Sequence, residues 1–284
     1  MHTATSASQH LLKNYGKRTA SAGPETLHAQ QNTRAPAASL SSVTDAEFAT
    51  WVARPRLCYD SHVWHGTKDG RFITVEGLDG CGKSTHLERL AVVLREQGLE
   101  VLTTREPGGT EIGERVRSIL LDSRTRGLAP LAELALMFAS RAQQISEVIL
   151  PAVNRGAWVL CDRYTDSSEA YQGAGRQLGV DAVLTLHRVL CLGLQPDLTL
   201  LLDSDVAASV ARARRRNLAV EGASDENRFE QENRAFFERV HQQFLAIAHR
   251  DVERVMLIDA RRSMEVVHRE IVAAVRERLA PKRG

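Results

Sequence analysis

Residues 77–84, Gly77-Leu78-Asp79-Gly80-Cys81-Gly82-Lys83-Ser84, constrain the fold of this chain more than any other segment, because they have the form G-x-x-x-x-G-K-[ST]. An apolar stretch precedes them, residues 71–76, and reads as a buried strand. Leu87, Leu90, Ala91 and Leu94 follow at helical spacing, and Gly98 is well placed to stop that helix. A loop of this kind turns a strand into a helix so that successive backbone N–H groups, from Gly77 through Thr85, surround phosphate oxygens. Lys83 then reaches the β/γ oxygens and the Ser84 hydroxyl coordinates Mg²⁺. The four fixed positions coincide by chance in roughly one chain in a hundred of this length, and the flanking strand and helix lower that figure further. The motif implies a nucleoside triphosphate ligand.

Composition narrows the class. In 284 residues, 43% are apolar and 25% charged, enough for a full globular core. The 37 basic residues nearly match the 35 acidic ones, a balance that points away from nucleic-acid and membrane surfaces. Cys58, Cys81, Cys161 and Cys191 are scattered without C-x-x-C or metal-ligand spacing, which suits a reduced, cytoplasmic compartment. No apolar run approaches the roughly 20 residues that span a bilayer.

Residues 1–68 differ from the rest. Ser, Thr, Ala, Gln, Asn and Pro dominate them, and no apolar period persists, so a poorly ordered extension is expected there, with the catalytic domain at 69–284. Within the extension, Phe48 and Trp51 share a face of one short helical stretch, 45–52. Two readings of the extension stay open. Lys13, Lys17 and Arg18, with no acidic residue before Glu25, suit an organelle transit peptide; the later acidic residues and the missing Arg-rich face suit a leader without a targeting role. From Gly70 onward strand and helix alternate, with candidate strands at 72–76, 100–104, 158–162, 198–203 and 255–259. Five short apolar strands separated by amphipathic helices imply an α/β fold, a five-stranded parallel sheet flanked by helices on both faces, with ligands at the strands' C-terminal ends.

Polar motifs leave several of those ends. Thr104-Arg105-Glu106-Pro107-Gly108-Gly109-Thr110 follows the second strand and Cys161-Asp162-Arg163-Tyr164 ends the third. Asp166-Ser167-Ser168-Glu169-Ala170-Tyr171-Gln172-Gly173 comes directly after, and a basic run, Arg212-Ala213-Arg214-Arg215-Arg216, precedes Arg228-Phe229-Glu230-Gln231-Glu232. With the phosphate loop, these motifs make the chain from about Arg71 onward resemble thymidylate kinase. The resemblance implies a P-loop NTPase of the nucleoside monophosphate kinase type that uses ATP and Mg²⁺ to convert dTMP to dTDP for dTTP synthesis, as a cytoplasmic homodimer. It also implies a lid near 212–230.

Each motif has a chemical reading beside the resemblance. Asp162, at the end of a strand next to the phosphate-loop strand, can hold a Mg²⁺ water, or it can cap the following helix. Arg163 can grip the acceptor monophosphate through two N–H groups, which Lys cannot reproduce. Arg117 matches a second family arginine at that phosphate, with a solvated helix arginine as the alternative. Phe138 and Arg141 are three apart on one helix, so a ring can stack on the base while the guanidinium donates to a pyrimidine carbonyl. Many family members place the aromatic four residues before that arginine, where this chain has Met137, so either side chain is a candidate and Phe138 as plain core is the alternative. By resemblance, Ser168 and Gln172 bond the base, Tyr171 sits under the deoxyribose, Glu106 and Pro107 wall the acceptor side, and Asp79 orients the acceptor sugar or the metal waters. Family members keep a catalytic arginine either inside the phosphate loop or in the lid. Position 80 is Gly, so the lid must supply it; Arg216 aligns best, Arg212 and Arg214 are weaker candidates, and Arg212 also lies beside the ATP. The same run read as the charged face of a helix is the alternative. The segment from Arg216 to Arg228 is longer than in the bacterial relatives it resembles, and Asn227 stands where aspartate is common.

Overall fold

A computed structural model of the protein describes residues 70–218 and 228–279. The expected N-terminal extension, with its helical stretch at 45–52, and the middle of the expected lid, 219–227, lie outside them. Five parallel strands, β1 (Arg71–Gly77), β2 (Val101–Arg105), β3 (Trp158–Asp162), β4 (Leu198–Asp203) and β5 (Val255–Asp259), form one sheet in the order β2-β3-β1-β4-β5. After β1 comes α1 (Lys83–Glu96). Between β2 and β3 lie α2 (Glu111–Leu121), α3 (Pro130–Gln144), a π-helical turn at Ile145–Ile149 and α4 (Leu150–Asn154). Between β3 and β4 lie α5 (Thr165–Ser168), a second π-helical turn at Glu169–Gly175 and α6 (Val180–Leu190). α7 (Val206–Leu218), which carries the basic run, and α8 (Arg234–Arg250) lead to β5, and α9 (Met264–Leu279) follows it.

Period-two alternation on the central strand builds two layers. Ile73 and Val75 pack with Leu87, Leu90 and Leu94 of α1 and with Val267 and Ile271 of α9. Phe72 packs on the opposite face with Leu134 and Phe138 of α3 and Val183 of α6. A third cluster joins Leu78 and Tyr171 to Phe229 and to Phe236, Phe237 and Phe244. Strand order reverses across β1, with β3 on one side and β4 on the other, so a crevice opens at its C-terminal end. Register aligns the chemistry with that crevice: Val75 and Arg105 both pair with Asp162, and Gly77 pairs with Leu202.

The expected strands at 158–162, 198–203 and 255–259 have the observed bounds. The first extends one residue further at each end, and the second lies one residue later, at Val101–Arg105. β3 sets that shift: β2 is an edge strand whose ladder runs from Val101 against Trp158 to Arg105 against Asp162, while Glu100 contributes only its carbonyl, accepting the Trp158 N–H at 2.8 Å.

Candidate active site

The phosphate loop connects β1 to α1 as the sequence predicts. Gly82 has φ 102° and starts α1 with no side-chain cap, which leaves the helix's first N–H groups for an anion. Gly80 has φ 80°, and a Cβ there would lie 2.3 Å from the Ser209 carbonyl oxygen and 2.9 Å from the Ala213 nitrogen. Helix α7 therefore approaches the loop so closely that no side chain fits at position 80. Arg212 closes this contact, with Nε donating to the Gly80 carbonyl at 2.7 Å and Nη2 to Ser209 Oγ at 2.9 Å.

One cavity of about 830 Å³ runs from this loop into the protein. On the phosphate side it is lined by Asp79, Gly80, Gly82, Lys83, Ser84, Thr85, Asp162, Arg163, Arg212 and Arg216; deeper in, by Glu106, Pro107, Arg117, Met137, Arg141, Ser168, Tyr171 and Gln172. Besides Arg214, four sequence candidates do not line it. Leu78 and Cys81 turn their side chains into the apolar clusters, and Gly77 sits against β4 with only its backbone to offer. Phe138 is the fourth and needs a correction as the stacking ring. It is fully buried between α3 and the sheet, with Arg141 Cζ 4.6 Å from its centroid, whereas Met137 reaches the cavity. Truncating a ring so placed belongs to the class of core changes that cost about 3–5 kcal/mol.

The phosphate-side groups hold one another. Arg163 donates from Nη2 to Asp79 Oδ1 at 2.6 Å and from Nη1 to Ser167 Oγ at 2.8 Å, with Cζ 5.0 Å from the Tyr171 ring centroid. The Tyr171 hydroxyl donates to Asp79 Oδ2 at 3.1 Å. Burial alone would raise the Asp79 pKa, but the neighbouring Arg163 and Lys83 charges outweigh it and hold the carboxyl well below its usual range. Arg163 has φ 74°, an uncommon region for a side-chain-bearing residue, and its N–H donates to the Val75 carbonyl at 3.0 Å. Lys83 Nζ donates to the Leu78 carbonyl at 2.8 Å.

Ser84 Oγ donates to Asp162 Oδ2 at 2.7 Å, while Asp162 Oδ1 is buried with no hydrogen-bond partner among the described residues. A buried, unpaired carboxylate oxygen beside a phosphate-loop hydroxyl suits a hard cation with oxygen ligands, so these residues fit Mg²⁺. The alternative reading of Asp162 as a helix cap does not hold, because Tyr164 occupies the cap position of α5 without a side-chain bond.

At the deep end Arg141 is almost fully used. Nε donates to Glu106 Oε2 at 2.5 Å, and Nη2 to the Tyr164 carbonyl at 3.2 Å and to Ser168 Oγ at 3.0 Å. Nη1 is buried and has no partner among the described residues. Burial pushes the Glu106 carboxyl up to about 7, with the Arg141 charge opposing the rise. Arg117 donates from Nη1 to the Pro107 carbonyl at 2.9 Å, so it is held at the cavity wall rather than in solvent.

Two site residues escaped the sequence reading. Glu76 is fully buried at the end of β1. Its Oε1 accepts the Tyr164 N–H at 2.7 Å and the Ser167 N–H at 3.3 Å, and its Oε2 accepts the Ser167 hydroxyl at 2.6 Å. Burial, with Asp166 nearby, pushes the Glu76 carboxyl above its usual range. Ser167 links it to Arg163. A lone carboxylate closing an apolar strand was the available signal for Glu76. None of the helices among the described residues is long and apolar enough to cross a membrane.

A thymidylate kinase family model matches residues 75–271. Over 204 residues the chain is 51% identical to the thymidylate kinase of Pseudomonas putida strain GB-1, spanning 72% of this chain and 94% of the relative. Over 211 residues it is 47% identical to that of Alkalilimnicola ehrlichii strain MLHE-1, spanning 74% and 93%. The crystal structure of thymidylate kinase from Ehrlichia chaffeensis is similar, with TM-score 0.58 and 30% identity over 73% of this chain and 99% of that one. Its fold is the nucleoside monophosphate kinase type of the P-loop NTPases, as the parallel sheet and phosphate loop lead one to expect. With a phosphate loop, a strand-end aspartate and a polar pocket joined in one cavity, and with these matches across most of its length, the chain belongs to the thymidylate kinase family, enzymes that phosphorylate dTMP to dTDP.

Proposed function

We propose that this chain transfers the γ-phosphoryl group of ATP to dTMP, with the triphosphate on the loop at Lys83 and the nucleoside at the deep end. The observation that carries the reading is the continuity of the cavity from Lys83 and Ser84 to Arg141, Ser168 and Gln172, with Arg163 at the junction. Ser84 and Asp162 would hold Mg²⁺, which when bound neutralises phosphate charge. The protein's part is alignment and electrostatic stabilisation. Lys83 and the loop N–H groups hold the triphosphate, Arg163 and Arg117 hold the acceptor phosphate, and Arg216 with Arg212 closes from the lid. Arg141 Nη1 supplies a donor to the base carbonyl and Tyr171 fills the space a 2′-hydroxyl would need. The direct test is ADP release with dTMP, dUMP, UMP and AMP as acceptors, with Mg²⁺ and with excess chelator. The reading requires dTMP to rank first and chelation to stop turnover.

Acceptor choice follows from Arg141. Cytosine carries an amino group where thymine has a carbonyl, so Nη1 would face a donor and both would go unpaired. Such a loss costs about 1–3 kcal/mol; kcat/KM for dTMP is expected to exceed that for dCMP at least tenfold, and equal values would remove Arg141 from the base pocket.

The Glu106–Arg141 pair predicts a pH effect. Protonation of Glu106 removes the charge that holds Arg141, so kcat/KM for dTMP should fall as pH drops below about 7, and Glu106→Gln should be slower at all pH values and lack that limb. Stability runs the other way. The folded-state value of about 7 lies above the ordinary 4.5, so the Glu106 contribution is complete below about pH 4.5 and is lost as pH rises through about 7. Acid loss of activity without acid loss of Tm is the expected signature in paired rate and melting profiles between pH 5.5 and 8.

We assign the catalytic domain to residues 69–284, since the phosphate loop and every motif that carries the resemblance lie after Gly70. A chain starting at Asp69 should keep kcat within a few fold of the full chain, and an inactive or unfolded truncation moves the boundary. We also carry the family's homodimer and a cytoplasmic location to this chain. On α2, Ile112 and Ile119, two turns apart on one face, are 51% and 47% exposed, an apolar stripe that suits a second copy.

A further inference from the structure

Glu133 lies in the first turn of α3 and is 1% exposed, yet none of the roles above uses it. Its Oε1 accepts Gln172 Nε2 at 2.9 Å and Arg176 Nε at 3.2 Å; its Oε2 accepts Arg176 Nε at 3.2 Å and Arg228 Nη2 at 2.7 Å. Arg176 and Arg228 are themselves 15% and 11% exposed, so the cluster is desolvated as well as paired. A carboxylate facing two guanidinium groups offers only lone pairs. The Gln172 amide must therefore turn its NH₂ end to Glu133, because the opposite orientation would set one oxygen against another. Gln172 lines the cavity, and the end it has left for a ligand is the Oε1 acceptor.

We propose that Glu133 is a specificity-positioning residue, which fixes the Gln172 amide so that its carbonyl selects a base carrying N–H at ring position 3 over one carrying a lone pair there. Thymine has that N–H and cytosine has the lone pair. Glu133 does not touch the base; it acts through Gln172, and the inference rests on the dTMP reading of the cavity. Because Arg228 is bound to the same carboxylate, and its N–H donates to the Leu121 carbonyl at 3.1 Å, the return from the lid helps hold the carboxylate in place.

The test compares kcat/KM for dTMP and for 5-methyl-dCMP, which differ only at ring positions 3 and 4, in four proteins: wild type, Glu133→Asp, Gln172→Leu and the double variant. Glu133→Asp keeps a carboxylate for the two arginines but falls one methylene short of holding Nε2 as well. It is expected to lower the dTMP to 5-methyl-dCMP ratio about tenfold, in line with one misdirected buried hydrogen bond. Gln172→Leu should lower the ratio similarly, and the double variant no further, since both changes remove one interaction. A folded Glu133→Asp protein with a ratio within twofold of wild type overturns the proposal, as do effects that simply add. Wild-type protein that turns over neither acceptor overturns the substrate reading and this inference with it, whereas dTMP turnover with an unmoved ratio overturns only the inference. NMR exchange of the Gln172 side-chain amide protons tests the same arrangement in the unmutated protein. Slow exchange before dTMP is added supports prior fixation by Glu133, and slow exchange that appears only with dTMP refutes it.

Discussion

Arg163→Ala is expected to lower kcat/KM for dTMP by about 10³, and Arg163→Lys to recover less than tenfold of that loss. The guanidinium is 15% exposed and bonds three partners at once, Asp79 at 2.6 Å, Ser167 at 2.8 Å and the Tyr171 hydroxyl at 3.3 Å, over the face of Tyr171. Truncating one member of a buried, hydrogen-bonded charge pair typically costs about 2–5 kcal/mol, which brackets a thousandfold. The alanine variant leaves Asp79 with Lys83 as its remaining cation, 3.7 Å away, so the Asp79 charge stays paired and the loss falls on the acceptor side. A lysine at 163 keeps a positive charge but lacks the fork that grips Asp79, Ser167 and an acceptor phosphate together. Steady-state kinetics with dTMP and ATP varied separately check this: KM for dTMP should rise, while KM for ATP changes less than threefold. A lysine variant with near-normal kcat/KM would reduce Arg163 to a local point charge.

The sheet was legible because buried parallel strands are short apolar runs and each here ends in a polar motif. Of the two edge strands, β2 was misplaced by a residue, since its register comes from hydrogen bonds to β3 rather than from its own pattern. The phosphate-side groups were legible for a related reason: their chemistry dictates residue type and place at a strand end. The base pocket was less so. Met137 and Phe138 are neighbours on a helix in which Leu134, Ser140 and Arg141 are buried too, and a helix apolar on several faces does not disclose which face meets the sheet and which the ligand. Glu133 gave no signal as a site residue, and Glu76 only that of a lone carboxylate closing an apolar strand, because their partners lie far along the chain. Tyr164 and Ser167 are 88 and 91 positions from Glu76, and Arg228 is 95 from Glu133.

In the lid, Arg216→Ala should lower kcat about 10² or more and leave KM for dTMP nearly unchanged. Charge that builds on the transferring phosphoryl oxygens needs a cation besides Lys83. The phosphate loop has no side chain at 80 to give one, because Ser209 and Ala213 of the lid helix already fill that space. Arg212 and Arg216, one turn apart on α7, both line the cavity, and Arg212 is fastened to the Gly80 carbonyl. Arg214 faces elsewhere, donating from Nε to the Glu230 carbonyl at 2.9 Å and from Nη2 to the Glu232 carbonyl at 3.2 Å, so it ties the two ends of the lid together. The three variants should therefore differ in kind. Arg216→Ala lowers kcat through lost transition-state stabilisation, for which arginine fingers supply about 10³–10⁵ elsewhere, with Arg212 a partial substitute. Arg216→Lys recovers little, for want of the fork. Arg214→Ala loosens the lid and raises KM for ATP more than it lowers kcat, and Arg215→Ala stays within a few fold of wild type. Near-normal turnover of Arg216→Ala beside an inactive Arg212→Ala would move the role one turn back along α7, and near-normal turnover of both would leave the basic run as a charged helix face.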